Sequence, residues 1–376
     1  MTSRRSFTKS LAATMTGVVF CTCGMQHNAL AQDLPNATKS HHKLPIMMNG
    51  KRVRTIDVHS HCFFAAAYIA FNGTLKGHIP NAKGAADMFI PEEDKAAVAR
   101  RLSQMDEMGV DMEVLSILPF WYGTDRDLSQ KIVKINNDGL AELTRAHPDR
   151  FAAFCSLSLQ YPDLAVQELD YAVRQQGMKG ASVGAHVQGL ELADPKFYPV
   201  WAKAQELGAT LFIHPQSTDE LNKRFKGNGW LSNTIGNPLD TTIALEHIIF
   251  QGVLDKFPTL KILAAHGGGY LPSYAERMDY ACYVSPAGCD ASIQLKKHPT
   301  EYLRQMYYDA IVFSPEGLRH LIAEVGVSQV MLGSDHPIPW EEHPVDRLYQ
   351  ATFLTDAQRH EIMYDNASRV LGIKLT

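Results

Sequence analysis

Eight short β-rich runs recur along this chain, with stretches of helical periodicity between them. The runs are RTIDVH (54–59), MEVLSIL (112–118), RFAAFCSL (150–157), GASVGA (180–185), ATLFIH (209–214), KILAAH (261–266), MYYDAIVF (306–313) and VMLGSD (330–335). Amphipathic segments between them include 94–109, 163–177, 196–208 and 314–326, the last two ending in Gly, a common helix stop. Alternating strand and helix calls for parallel pairing with helices covering the sheet, and eight such units in 376 residues predict an α/β fold of the (β/α)8 type, a TIM barrel. A doubly wound open sheet is the rival. It normally carries a glycine-rich phosphate turn after its first strand, and VHSHCFF has none. In a barrel the loops after the strands build the functional face, so the long connections 62–93, 215–245 and 267–305 are expected to supply substrate walls and contact surfaces.

The ionisable residues are placed accordingly. In IDVHSH (56–61) strand alternation sends Asp57, His59 and His61 to one side if the run stays extended. Two neutral imidazoles about 7 Å apart at the backbone can converge on one divalent ion. His214 ends the fifth run in LFIHP, His266 the sixth in LAAHGGG, and Asp335 the eighth in LGSDHP. A lone histidine at a strand end reads as a hydrogen-bonded core residue; four independent runs that open onto ionisable groups predict a metal centre at the mouth of the barrel. His186, after the fourth run in SVGAHVQG, faces the same mouth and is a candidate substrate contact. Three imidazoles and a carboxylate suit Zn²⁺, with Mn²⁺ possible if coordination expands. Such an ion lowers the pKa of a bound water, and an imidazole near its own pKa can exchange that proton.

The first 31 residues read differently from the rest. Arg4-Arg5 in SRRSFTK, an apolar run from Leu11 to Phe20 too short to span a bilayer, and the small-residue pattern Ala29-Leu30-Ala31 predict a twin-arginine-type export signal and a periplasmic protein. Residues 32–52 read as a polar linker in which His41-His42 is a solvated pair, weak metal binding being the alternative; the barrel is expected over 53–376. The formal charge of −4 includes no basic stripe, which argues against nucleic acid as a partner, and no membrane contact is expected once the signal is gone. Of the cysteines beyond the signal, Cys282 and Cys289 are close enough in sequence to pair, but spacing alone does not establish it. A chain of this size needs no disulfide framework.

The order HxH, IHP, AHGGG and GSDHP on a barrel pattern resembles the amidohydrolase superfamily, in its amidohydrolase-2 branch, and is most similar to 2-amino-3-carboxymuconate 6-semialdehyde decarboxylases and related metal-dependent decarboxylases. The similarity runs over residues 54–372 and includes MDEMGVDMEVLS, NPLDTTIALEHIIFQGVLDKFPTLKILAAHGGG and the closing DNASRVLGI. The resemblance implies His59, His61, His214 and Asp335 as ligands of one zinc-like ion and His266 as the catalytic acid/base, with Asp335 also orienting the reacting groups. It implies an aromatic substrate wall at Trp230, whose alternative is a half-buried packing residue. It also implies an arginine at Arg277 that reaches a substrate carboxylate in a neighbouring subunit of a homodimer, whose alternative is a surface helix charge. Asp57 reads as supporting rather than ligating, Cys62 points away from the site, and His336 is placed to line the pocket. Two positions depart from the decarboxylase pattern. KGAADMFIPEEDKAA has no arginine where those enzymes carry one, and Ile338 stands where they have an aromatic, which argues against the carboxymuconate semialdehyde itself as substrate.

The expected activity is non-oxidative decarboxylation of a small carboxylated aromatic or unsaturated substrate. The alternative is hydrolysis of a C–C bond, lactone or amide by hydroxide on the same ion.

Overall fold

The computed structural model describes residues 41–73, 83–90, 95–216, 221 and 223–375; the expected export signal and the first part of the expected linker lie outside these. The eight expected strands are all present, most of them shorter than their apolar runs: β1 (Ile56–His61), β2 (Met112–Ser116), β3 (Phe151–Ala153), β4 (Gly180–Gly184), β5 (Thr210–His214), β6 (Lys261–Ala264), β7 (Tyr307–Asp309) and β8 (Val330–Met331). Between them run α1 (Lys95–Met108), α2 (Arg126–Ala146), α3 (Pro162–Gln176), α4 (Tyr198–Leu207), α5 (Asn237–Phe250), α6 (Ala275–Val284) and α7 (Pro315–Val325), and α8 (Pro344–Gln350) follows the last strand. All pairing among the eight strands is parallel, in a three-stranded sheet β1-β2-β3 and a five-stranded sheet β4-β5-β6-β7-β8. Single parallel bridges join the sheet edges, Cys155 to Ala181 at one seam and Ser60 to His336 at the other. Backbone bonds such as Ser182 N–H to Cys155 O and Asp335 N–H to His59 O, 2.9 and 2.8 Å, reinforce the two seams. This is the TIM-barrel order that the alternation predicts.

Alternation along the strands divides the core in two. Leu211 and Ile213 join the cluster that includes Leu140, Leu169, Trp201, Ile248 and Leu321 of the surrounding helices. Phe212, between them, joins Ile56, Val58, Met112, Val114, Phe154, Leu263 and Met331, together with Val370 and Leu371 of the C-terminal helix Asn366–Leu371. Helix ends follow local chemistry: Asp125 and Ser314 cap α2 and α7 by accepting the backbone N–H of Leu128 and Gly317, and Gly177 and Gly208 end α3 and α4 in the left-handed conformation. No helix among the described residues is long and apolar enough to cross a membrane.

One expectation needs correction, and one open question is answered. Residues 41–52 are not a free linker: Ile46 is buried, Met47–Met48 pairs antiparallel with Lys51–Arg52, and the partly exposed imidazoles of His41 and His42 both meet the buried carboxylate of Asp346. The polar-linker reading passes over the apolar run Leu44-Pro45-Ile46-Met47-Met48, of which Ile46 is buried while Leu44 and Met48 pack against the core. The pairing left open by spacing is present: a disulfide joins Cys282, in the last turn of α6, to Cys289 beyond it.

Candidate metal centre

The mouth of the barrel brings together ligand-type side chains from the ends of three strands, β1, β5 and β8. Ligand-type atoms of His59, His61, His214 and Asp335 all lie within 4.8 Å of one another, and all four residues are buried. His59 and His61 leave the end of β1, where the pairing with β2 shifts register between Asp57 and Ser60. That irregularity breaks strict alternation. Asp57 accordingly does not share the face of the two histidines: its carboxylate accepts the Ser334 hydroxyl and the backbone N–H groups of Ser334 and His59. Burial, with Glu113 nearby, raises the Asp57 carboxyl to about 7.

The outer nitrogen of each imidazole fixes what the inner one can do. His59 Nδ1 lies 2.6 Å from the Asp309 carboxylate, and His214 Nδ1 lies 2.9 Å from the Pro215 carbonyl, both acceptors only, so each Nδ1 carries the proton. Ser116 donates to Ser60 O at 2.9 Å and so receives the Nδ1 proton of His61, also at 2.9 Å. All three rings therefore turn an Nε2 inward. His59 Nε2 faces His61 Nε2 at 3.0 Å, the Asp335 carboxylate stands 3.3 and 3.0 Å from the pair, and His214 Nε2 is buried with no hydrogen-bond partner among the described residues. The orphaned buried acceptor on His214 costs about 1–3 kcal/mol unless a cation satisfies it. The donor set, three imidazoles and one carboxylate with the outer nitrogens held by oxygen acceptors, fits a divalent metal ion.

The electrostatics divide the cluster. Burial opposes charge on His59, but Asp335 and Asp309 outweigh it and raise that imidazole to about 10. Burial lowers His61 to about 4 despite Asp335, and it drives His214 well below the usual range, with His61 and His59 adding to the effect. Burial would raise Asp335, yet His59 and the bonds from the surrounding imidazoles hold it well below the usual carboxylate value.

His266 and Asp335 lie past the last paired residues of their strands, both in the left-handed region at φ 54° and 65°. Such conformations in non-glycine residues are uncommon and concentrate at functional sites. The turn at His266 is held by Asp309, whose carboxylate accepts the backbone N–H of His266, Gly267 and Ile311 at 2.8, 2.9 and 3.0 Å. The glycines after it are required: Gly269 has φ 68°, and a Cβ there would lie 2.1 Å from the Pro238 carbonyl oxygen. This places His266 Nε2 3.6 Å from Asp335 Oδ2 while its Nδ1 has no hydrogen-bond partner among the described residues, at the edge of a cleft of about 320 Å³ lined also by Tyr270, Ile311, Phe313 and His320.

The remaining expected residues fall in three places. Trp230, half exposed at φ 49°, stacks on Trp340 with centroids 5.7 Å apart, and Trp340 leans on the cleft residue Phe313 at 5.9 Å, so Trp230 belongs to an aromatic rim and not to the core. His186 turns toward the Gly189 backbone N–H and lies 3.9 Å from Asp240, and it is not in the four-residue group. Arg277 is exposed on α6, near the exposed Tyr274, Tyr280 and Tyr283. Sequence reasoning missed Asp309, and it missed the buried chain in which Arg101 pairs with Glu113 at 2.6 Å and Glu113 with His336 at 2.7 Å. His336 is thereby tied beneath the site. The available signal was a lone acid inside each apolar run, Glu113 in MEVLS and Asp309 in MYYDAIVF.

Comparisons with known proteins agree with this geometry. The amidohydrolase family model Amidohydro_2 matches residues 56–373. The chain is 30% identical over 280 residues to the 2-amino-3-carboxymuconate-6-semialdehyde decarboxylase of Dictyostelium discoideum, covering 73% of this chain and 76% of the relative. It is 27% identical over 306 residues to the gamma-resorcylate decarboxylase of Polaromonas sp., covering 76% and 93%. The crystal structure of 5-carboxyvanillate decarboxylase from Sphingomonas paucimobilis superposes with a TM-score of 0.75 at 25% identity, covering 86% of this chain and all of that one. A likeness over nearly the whole barrel, with a metal-type cluster at its mouth, leads to one conclusion: the chain belongs to the amidohydrolase family of metal-dependent enzymes.

Proposed function

We propose that this protein is a non-oxidative decarboxylase of a small carboxylated aromatic acid. The observation that carries the reading is His266, held beside Asp335 at the edge of the metal-type cluster and open to a cleft bounded by aromatic side chains. His59, His61, His214 and Asp335 would hold a divalent ion, which when bound would supply Lewis-acid charge to an anionic substrate. Zinc is the ion that three imidazoles and one carboxylate favour, with manganese the alternative. Phe313, Trp340 and Trp230 offer flat apolar faces to a ring. His266 delivers the proton: the bond to the carboxylate carbon breaks, its electron pair stays on the ring carbon, that carbon takes the His266 proton, and CO2 leaves. Asp335, held as a carboxylate, keeps the protonated imidazole in place and stabilises its charge.

Three further readings belong to the same proposal. The leader-like residues 1–31 direct export to the periplasm. The exposed tyrosines and Arg277 of α6 support a homodimer contact, with Arg277 serving a substrate carboxylate across it. His186 contacts substrate from the loop after β4. The test of the reaction is direct: metal-loaded protein incubated with gamma-resorcylate, 5-carboxyvanillate and related hydroxybenzoates, with CO2 and the decarboxylated phenol quantified together. Equimolar CO2 and phenol from any of them supports the reading. A water-added acid without CO2, or no turnover across the panel, contradicts it.

A further inference from the structure

A second group of metal-type side chains lies away from the barrel mouth. Ligand-type atoms of His41, His343 and Asp346 fall within 4.8 Å of one another. His41 belongs to the segment that leads into the barrel, His343 ends the loop running on from Asp335, and Asp346 lies on α8. The Asp346 carboxylate is buried and already oriented. Its Oδ1 accepts the His42 backbone N–H at 2.8 Å and meets the His42 ring Nδ1 at 2.5 Å, while Oδ2 faces His41 Nδ1 at 2.9 Å. His42 in turn is fixed by stacking on Tyr349, centroids 4.1 Å apart. One carboxylate oxygen held by an imidazole and a backbone amide, with the other turned toward further imidazoles, is the arrangement that supports metal ligands.

A hydrogen-bonded reading of the same group does not close. With both carboxylate oxygens engaged by His41 and His42, His343 Nδ1 remains buried with no partner among the described residues, although its ring lies 3.6 Å from that of His41. An unpaired buried nitrogen is a standing cost that a bound cation removes. We propose that His41, His343 and Asp346 form a second divalent-metal site of zinc type, separate from the centre at the barrel mouth. The ion fastens residues 41–52 to the loop that carries His336 and Trp340. The rings of His41 and His343 are stacked, 10° from parallel, and a nitrogen lone pair lies in the plane of its ring. Binding therefore turns one ring, and the solvent-exposed His41 is the one with room to turn, giving up its stacking on His343 for the ion. Two nitrogens and one oxygen leave a coordination position for solvent, so this site is weaker than the buried one and is emptied first by a chelator.

The test counts metal ions on the untagged full chain. Protein stripped with a chelator is reloaded with Zn²⁺ and desalted, and bound zinc is measured per chain for wild type, His41→Ala, His343→Gln and His214→Ala. The expected result is two equivalents for wild type and one for each single variant. In the His41 and His343 variants the remaining ion resists the chelator, and in the His214 variant it does not. Equal zinc in wild type and His41→Ala overturns the proposal, and because His41 is exposed this variant keeps the comparison valid should His343→Gln fail to fold. Loss of the buried equivalent alone, with no change at His41, would count against this site and leave the barrel-mouth centre standing.

Discussion

The imidazole of His59 and the carboxylate of Asp309, 250 positions apart in the chain, lie 2.6 Å from each other at the buried floor of the site. Asp309 also accepts three backbone N–H groups, so one carboxylate sets both the tautomer of a metal ligand and the turn that aims His266. Burial opposes its charge, but the bond from His59 and the charge of that ring hold its carboxyl below the usual range. Replacing Asp309 by Asn keeps the shape and removes the charge. Metal affinity, measured by chelator competition, is expected to fall about 10- to 100-fold. Unchanged affinity would show that the contact is incidental.

His266 offers a different test. Its replacement by Gln removes a proton donor without touching a ligand in the four-residue group. Turnover is expected to fall about 10²- to 10⁴-fold with metal content unchanged. A variant that kept both would remove His266 from the chemistry.

The legible parts of this site are those at the ends of apolar runs. His59, His61, His214, His266 and Asp335 each close a strand-like stretch, and the barrel alternation puts all such ends at one mouth. Asp309 was passed over because it sits inside MYYDAIVF and not at its end, and the structural strand stops at that residue while the apolar run continues. Arg101, Glu113 and His336 come from a helix, a strand and a loop, and only folding brings them together. Asp57 was misplaced for a related reason: a register shift in β1 is a pairing feature, and periodicity in one strand does not report it.

Metal uptake is predicted to be coupled to protons. In protein stripped by a chelator, Asp335 and Asp309 keep His59 charged up to about 10, whereas burial keeps His61 neutral down to about 4. Loading near neutral pH therefore displaces the His59 proton. About one proton per ion is expected, with affinity rising roughly tenfold per pH unit. Calorimetry in buffers of different ionisation enthalpy measures it. Zero protons released would contradict the assignment.

Stability in acid provides a separate check, on the buried pair beneath His336. Glu113 is held down to about 2, against an ordinary 4.5, because Arg101 and His336 outweigh the cost of burial. Its folded-state value is depressed, so its contribution is present above about pH 4.5 and is lost as pH falls through about 2. The contribution is roughly 3 kcal/mol. Glu113→Gln should be less stable than wild type in denaturant near neutrality, with the gap narrowing as pH drops toward that lower value. A gap that stays constant with pH would assign the loss to packing alone.

Anomalous X-ray diffraction at the absorption edge of the bound metal, on crystals of protein purified without added salts, reaches the main claim most directly. The account predicts a peak within bonding distance of Nε2 of His59, His61 and His214 and of the Asp335 carboxylate. Density without such a peak, in protein that nonetheless releases CO2, would contradict it.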